Sequence, residues 1–256
     1  MFEDGGVVVL AKPPGISVTG ERHDTDLVTM AQAAGERLLP AHRIDKVTSG
    51  IVVFAKTDEA HASLARQFNK RTVDKRYLAI LRSRGLPETG TIDLPLSLGR
   101  KNKVRIASLR SEIVFDEEAH RWSVARTASF HAKRVYPSIS TFARVIESAR
   151  RTALVVRPIS GRRHQIRTHL AWIGHPIEGD PLYMKDPATA ARTYLHSWTL
   201  GFDVTWAGEP RRLVVEATPD DEFWRPFRRE LPTKGPGVLV RQARAAAQRL
   251  PNRNLP

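Results

Sequence analysis

The 256 residues include 41 Lys and Arg against 27 Asp and Glu, a formal charge of +14, with 41% hydrophobic residues and no cysteine. The lack of cysteine excludes disulfides, iron–sulfur clusters and thiolate zinc sites and suits a reducing cytosol. No apolar run approaches the ~20 residues that cross a bilayer, so no membrane partner is expected. The opening Phe2-Glu3-Asp4 lacks the basic-then-apolar order of a signal peptide. The cationic excess points to a polyanion, and nucleic acid is the commonest one, although an arginine-rich surface without specific use carries the same charge.

In chain order, Val7-Val8-Val9-Leu10 reads as a short buried strand, stopped by the rigid turn Lys12-Pro13-Pro14-Gly15. A weak helical pattern follows Asp24 through Leu27, Met30 and Ala34. The apolar run Gly50 to Lys56 predicts a strand. Thr57 then predicts an N-cap, with Asp58 and Glu59 favoured in the first turn. Ala60, Leu64 and Phe68 predict a helix with one apolar stripe, ending at Lys70-Arg71. Further strands are expected at Tyr77–Leu81, Phe142–Ile146, Leu154–Val156, Leu195–Leu200 and Leu213–Val215. Between them, Ile166, Leu170 and Ile173 predict a helix over Arg162–Ile173 that Gly174 stops. Residues 100–136 are crowded with Arg, Lys and His and read as a basic insertion or loop. The alanine- and arginine-rich segment 233–256 fits a helix or a disordered arm equally well. Strands and helices mix without regular alternation, which predicts an α+β fold. The expectation is one catalytic domain over residues 1–232 and a basic C-terminal tail over 233–256.

Three positions are candidates for chemistry, each with an ordinary structural alternative. Asp45 lies between Arg43 and Lys46 just before a strand, so its carboxylate can face a polyanion among cations, or simply cap a turn. Tyr77 follows Lys75 and Arg76 and offers a ring for stacking and a hydroxyl for proton exchange, or packs as a β-favouring aromatic. Arg167 sits beside the apolar Ile166, with Arg163 one turn earlier if both are helical. Its guanidinium can fork a carboxylate, or belong to a solvated basic face. His164, His169, His175 and His196 lack a carboxylate-rich ligand spacing, so no metal site is expected and structural or RNA-contacting roles fit them better.

Taken together, the motifs resemble those of RluA-type RNA pseudouridine synthases. They are His42-Arg43-Ile44-Asp45 with Thr48-Ser49-Gly50, Lys75-Arg76-Tyr77, and Gly161-Arg162-Arg163-His164-Gln165-Ile166-Arg167. Lys12 to Gly15, Gly179-Asp180 with Tyr183, and Leu195-His196 also fit, and the likeness runs from about Val7 to Glu216. Val47 departs from the acidic residue many members carry, the 100–136 region is longer than usual, and with the first catalytic strand near Val7 the expectation is a compact member without an S4-type domain. The resemblance implies a mixed, largely antiparallel central sheet flanked by helices and loops, and cofactor-free isomerisation of uridine in rRNA or tRNA, in the cytoplasm, by a monomer. It assigns Asp45 to the sugar, Tyr77 to the C5 proton or to stacking, and Arg167 to orienting Asp45. Arg43 would fill the space of a flipped base, with His42, Lys75, Arg76, Arg162, Arg163 and His164 on the RNA. A catalytically silent RNA-binding protein of the same fold is the alternative.

Overall fold

A computed structural model describes residues 1–20, 25–99, 103–125, 134–186 and 190–252. Its strands are β1 (Phe2–Glu3), β2 (Val7–Lys12), β3 (Leu39–Pro40), β4 (Ser49–Ala55), β5 (Asp74–Leu81), β6 (Thr89–Asp93) and β7 (Leu96–Leu98). They continue with β8 (Val104–Ile106), β9 (Ile113–Asp116), β10 (Arg121–Val124), β11 (Ile139–Glu147), β12 (Thr152–Pro158), β13 (Leu195–Val204) and β14 (Arg211–Glu216). The helices are α1 (Leu27–Ala33), α2 (Asp58–Asn69), α3 (Gln165–Trp172), α4 (Asp221–Arg228) and α5 (Pro236–Gln248). None of those described is long and apolar enough to cross a membrane. The chain forms two compact units, Met1–Tyr77 with Leu195–Pro219, and Leu78–Tyr194 with Asp220–Pro256.

The first unit is organised by β4. It pairs antiparallel with β2 and β3 and parallel with β13, while β1 extends β2 and β14 extends β13. A strand covered on both faces needs apolar side chains at every position rather than alternation, and all seven residues of β4 are buried. The two-residue period divides them between two cores. Ile51, Val53 and Ala55 join Val7, Val9, Leu64 and Phe202. Val52 and Phe54 join Val18 and Ile44, with Tyr77 packed against that cluster. Each large side chain so placed contributes about 1.5–3 kcal/mol. Helix α2 starts as its sequence predicts: Thr57 accepts the Ala60 N–H at 3.2 Å, and Ala60 and Leu64 face the first core. Helix α1 begins later than the pattern suggests, at an Asp26 cap that accepts the Thr29 N–H; Asp24 lies outside the described residues.

In the second unit β11 pairs antiparallel with β6 and β12, β10 runs parallel to β6, and β9 closes a hairpin with β10. β7 and β8 form a separate antiparallel pair. The mixture of mainly antiparallel strands and helices is the α+β class expected.

Two expectations change here. The segment 100–136 carries β8, β9 and β10 rather than a structureless insertion, although residues 100–102 and 126–133 lie outside the described part. These strands are three or four residues long, too short for alternation to show. The hairpin is held by the stack of Phe115 on Trp122, 4.3 Å between ring centroids. The segment 233–256 contains α5, whose Leu239, Val240, Ala243, Ala246 and Ala247 are buried and which packs on β11 and β12. Arg157 donates to the Pro251 carbonyl and fastens the end. The boundary expected at 232 therefore falls inside the second unit. Helix α4 escaped the pattern because Pro226 reads as a breaker, yet Asp220 caps it and Phe223, Trp224 and Phe227 anchor it in the core.

Candidate active site

Along residues 42–45, between β3 and β4, exposure changes from one side chain to the next. His42 and Ile44 face inward, Arg43 is exposed, and Asp45 is half-buried. Ile44 belongs to the core cluster against which Tyr77 packs, which sets the carboxylate's residue on the phenol's side of the first unit. Asp45 then opens a four-residue turn into β4, closed by the Thr48 N–H donating to the Asp45 carbonyl at 2.9 Å.

That turn is pinned by Lys12, the first residue of the Lys-Pro-Pro-Gly motif. Lys12, 2% exposed, directs its ammonium at the carbonyls of Pro13 (2.8 Å), Ile16 (2.7 Å) and Lys46 (3.2 Å). The Gly15 N–H donates to the same Lys46 carbonyl at 2.8 Å. A buried cation costs little only when its donors are all occupied, and here the occupants are backbone groups of the Pro-Pro-Gly turn and the Asp45 turn. The Lys-Pro-Pro-Gly motif is thus a brace for the peptide next to Asp45.

Tyr77 lies within β5, three residues past its start. Burial pushes its phenol up to about 12; a hydrogen bond with the Ser197 side chain pulls it back in part, and the Asp45 charge adds to the upward push. The phenol is therefore protonated at neutral pH and within electrostatic reach of Asp45. Ser197 stands on β13 opposite Gly50 of β4. Gly50 has φ +104°, and a Cβ there would come 2.7 Å from Ser197 N and closer still to its carbonyl oxygen. The Thr48-Ser49-Gly50 motif is explained by that approach. Ser49 Oγ meets His196 Nδ1 at 2.8 Å across the same strand pair, and His196 Nε2 meets the Ala217 carbonyl at 2.8 Å.

Arg167 belongs to the second unit, apart in the chain's division from Asp45 and Tyr77. Its Nε and Nη2 fork Asp180 at 2.7 and 2.8 Å, with side chains 3% and 0% exposed. The guanidinium thus holds a buried carboxylate, that of Asp180. Asp180 is further held by the Leu182 and Tyr183 N–H groups. Gln165 anchors α3 to β11 through the Ile139 carbonyl and Ser140 Oγ, and His169 bridges Ser140 Oγ and the Leu94 carbonyl. Burial drives His169 down to about 4, so it is a neutral structural strut.

The residues expected on RNA divide. Arg43, Arg162 and Arg163 are exposed, with Arg162 over the Tyr136 ring at 5.4 Å. Arg162 and Arg163 precede α3 instead of lying on it, because His164 is the cap in a left-handed conformation with φ +51°. Arg163 is therefore not a turn below Arg167 on one helix. His164 Nδ1 meets the Tyr183 hydroxyl at 3.1 Å. Arg76 pairs with Asp74 at 3.1 Å, and Lys75 stands 6.0 Å from the centre of the Phe68 ring. His42 departs furthest from expectation. Its ring stacks on Phe68 at 4.8 Å, and Nε2 accepts the Val53 N–H at 3.1 Å, continuing the β3–β4 ladder. Burial and then the Lys75 charge lower it to about 3. The ring that completes the sheet ladder thus has a structural part. Among the described residues, no group of three or more His, Asp or Glu is placed to hold a metal ion.

The RNA pseudouridylate synthase family model matches residues 6–172. The chain belongs to that family. It is 33% identical over 240 residues to the ribosomal large subunit pseudouridine synthase D of Nitrosomonas europaea, covering 86% of this chain and 62% of that protein. It is 32% identical over 202 residues to the dual-specificity RNA pseudouridine synthase RluA of Escherichia coli K12, covering 77% and 83%. The tRNA pseudouridine(31) synthase of Saccharomyces cerevisiae is 32% identical over 197 residues, covering 72% and 45%. In fold, human RNA pseudouridylate synthase domain containing 1 aligns with a TM-score of 0.67 at 21% identity, over 95% of this chain and 93% of that one.

Proposed function

We propose that this protein isomerises uridine to pseudouridine in structured RNA, with Asp45 as the carboxylate that acts at the sugar. The observation that carries the reading is the setting of Asp45, in a turn braced through Lys12 and the Lys46 carbonyl and near enough to the Tyr77 phenol for its charge to act there. The isomerisation breaks N1–C1′, turns the uracil and joins C5 to C1′. Nothing is oxidised and no water is consumed, so the reaction needs no cofactor. The sugar passes through an electron-poor or eliminated state, which a carboxylate at C1′ or C2′ stabilises, as in glycoside cleavage.

Tyr77 then takes the C5 proton, and its ring supplies a stacking face for the base. Arg167 keeps the role the family resemblance gives it, orienting the Asp45 carboxylate. A uridine within a stem reaches such a site only when flipped out, at a cost of a few kcal/mol. The exposed Arg43, two residues from Asp45, suits the vacated place in the stack. Phosphate contacts by the wider basic surface make binding fall steeply with salt.

The test is tritium release from ribosomal and transfer RNA labelled at uridine C5, with and without EDTA. Release from one pool, indifferent to EDTA, supports the reading and names the substrate class. Salt-sensitive RNA binding with no release from either pool would return the catalytically silent binding protein.

A further inference from the structure

Strand β4 leads directly out of the Asp45 turn, so the hold on its first residue sets where that turn stands. The Thr48 N–H closes the turn on the Asp45 carbonyl, and Ser49 follows as the first residue of β4. On one side β4 pairs with β2 over six positions, but that register ends at Lys12↔Gly50. Ser49 takes its ladder partner from the other side, where the parallel register with β13 covers two pairs, His196↔Ser49 and Ser197↔Gly50. Parallel pairing is the less stable kind per residue, and two pairs are a short hold.

A side-chain bond reinforces that hold at the same residue pair. Ser49 Oγ and His196 Nδ1 are 2.8 Å apart, and both residues are buried. The other ring nitrogen, Nε2, lies 2.8 Å from the Ala217 carbonyl, an oxygen that can only accept. Nε2 therefore carries the hydrogen, and in the uncharged ring Nδ1 is left to accept from the Ser49 hydroxyl. The Ala217 peptide is fixed in turn by its N–H, which donates to the Trp198 carbonyl at 2.8 Å. One series of hydrogen bonds thus runs from Ala217 through the His196 ring to the residue that adjoins the Asp45 turn.

We infer that His196 is a positioning residue for the isomerisation, on the reading of Asp45 as the carboxylate that acts at the sugar. By accepting the Ser49 hydrogen bond it holds the start of β4, and with it the Asp45 turn, where the chemistry needs them. It acts only through that turn. Its two ring nitrogens have separate parts: Nδ1 sets the turn, and Nε2 anchors the ring. A reacting group misplaced by about 1 Å slows a reaction by roughly a hundredfold, while phosphate contacts made elsewhere on the surface are unchanged.

The experiment separates the two nitrogens. An Asn amide puts its oxygen where Nδ1 stands, so His196→Asn keeps an acceptor for Ser49 and loses the Ala217 bond. A Gln amide reaches the place of Nε2, so His196→Gln keeps a donor to Ala217 and loses the Ser49 bond. Single-turnover isomerisation, RNA affinity and urea midpoints are measured for both, with Ser49→Ala, Ser49→Ala in the His196→Gln background, and Asp45→Asn. Both His196 variants lower the midpoint, since each strands one buried partner. His196→Gln and Ser49→Ala slow turnover roughly ten- to a hundredfold, with RNA affinity within a few-fold of wild type, and the double variant is no slower than either. His196→Asn recovers most of the rate, which a merely structural role, scaling with the midpoint, would not allow. Ser49→Ala at the wild-type rate, or His196→Asn as slow as His196→Gln, beside a slow Asp45→Asn overturns the role of His196 and leaves that of Asp45 standing. Asp45→Asn at the wild-type rate overturns both.

Discussion

Gly50→Ala is the sharpest probe of how the site is built, because the usual effect of the substitution has the opposite sign. A Gly→Ala change at a tolerant position stabilises by about 0.4–1 kcal/mol through the unfolded chain. At Gly50 two penalties oppose it. The residue has φ +104°, a region that costs a side-chain-bearing residue about 1–3 kcal/mol. The new Cβ would also lie 2.7 Å from Ser197 N and 2.8 Å from Ser197 C, roughly 0.8 Å short of the ~3.5 Å at which nonbonded atoms rest. These are backbone atoms of a paired strand and cannot rotate aside. Forcing β4 and β13 apart in a filled core adds about 1–3 kcal/mol. The net expectation is a loss of about 1–6 kcal/mol, a large share of the ~5–15 kcal/mol that holds an ordinary domain together.

The assay is urea unfolding followed by tryptophan fluorescence, read as the shift in midpoint at constant slope, with single-turnover isomerisation on the same samples. The parting falls on the strand that follows the Asp45 turn, so turnover at a temperature where the variant is folded drops more than RNA affinity does. Gly5→Ala is the control, since its added Cβ meets nothing within 4 Å. A Gly50→Ala protein within about 0.5 kcal/mol of wild type, the range of a neutral surface change, would refute the close approach and the reason given for the Thr-Ser-Gly motif.

His42 predicts a pH dependence of stability. Its folded value of about 3 lies below the ordinary 6.5, so between these limits the unfolded chain binds a proton that the folded one refuses. Its contribution is complete above pH 6.5 and is lost as pH falls toward 3, at up to about 1.4 kcal/mol per unit; His42→Phe should show a shallower acid slope in denaturant midpoints, and equal slopes would contradict the assignment. Lys12→Met leaves the Pro13, Ile16 and Lys46 carbonyls without its charge. It should cost at least about 2 kcal/mol in urea unfolding, with turnover falling more than RNA affinity; unchanged stability would show that the brace is idle. Arg167→Met strands the buried Asp180 and should cost about 3–5 kcal/mol. Adding Asp180→Asn should recover part of that loss, and strict additivity in a double-mutant cycle would deny the coupling.

What the sequence made legible was whatever one strand or helix decides alone. The unbroken Ile51-Val52-Val53-Phe54 run marked a strand buried on both faces, and Thr57 with Asp58 and Glu59 marked the start of α2. Asp45 and Tyr77 were found by motif, and Ile44, the neighbour of Asp45, shares a core cluster with Tyr77. The rest depended on partners distant in the chain. Nothing near His42 announces that its ring will accept the Val53 N–H, nor does anything near Lys12 announce the Lys46 carbonyl 34 residues on. Asp180 stood in a quoted motif without a role, since its meaning is the Arg167 fork. The short strands of the 100–136 segment and the alanine face of α5 carry too few large side chains to register as pattern. In both, neighbouring elements supply the order.

The central claim is that the Asp45 carboxylate performs the chemistry and does not merely bind RNA. It is tested most directly by comparing wild type with Asp45→Asn in single-turnover release of tritium from C5-labelled RNA, with RNA affinity measured on the same preparations. The substitution keeps the side chain's shape and removes its charge. The account predicts that release falls at least about a hundredfold, while affinity stays within a few-fold. An Asp45→Asn protein that released tritium at the wild-type rate would contradict it.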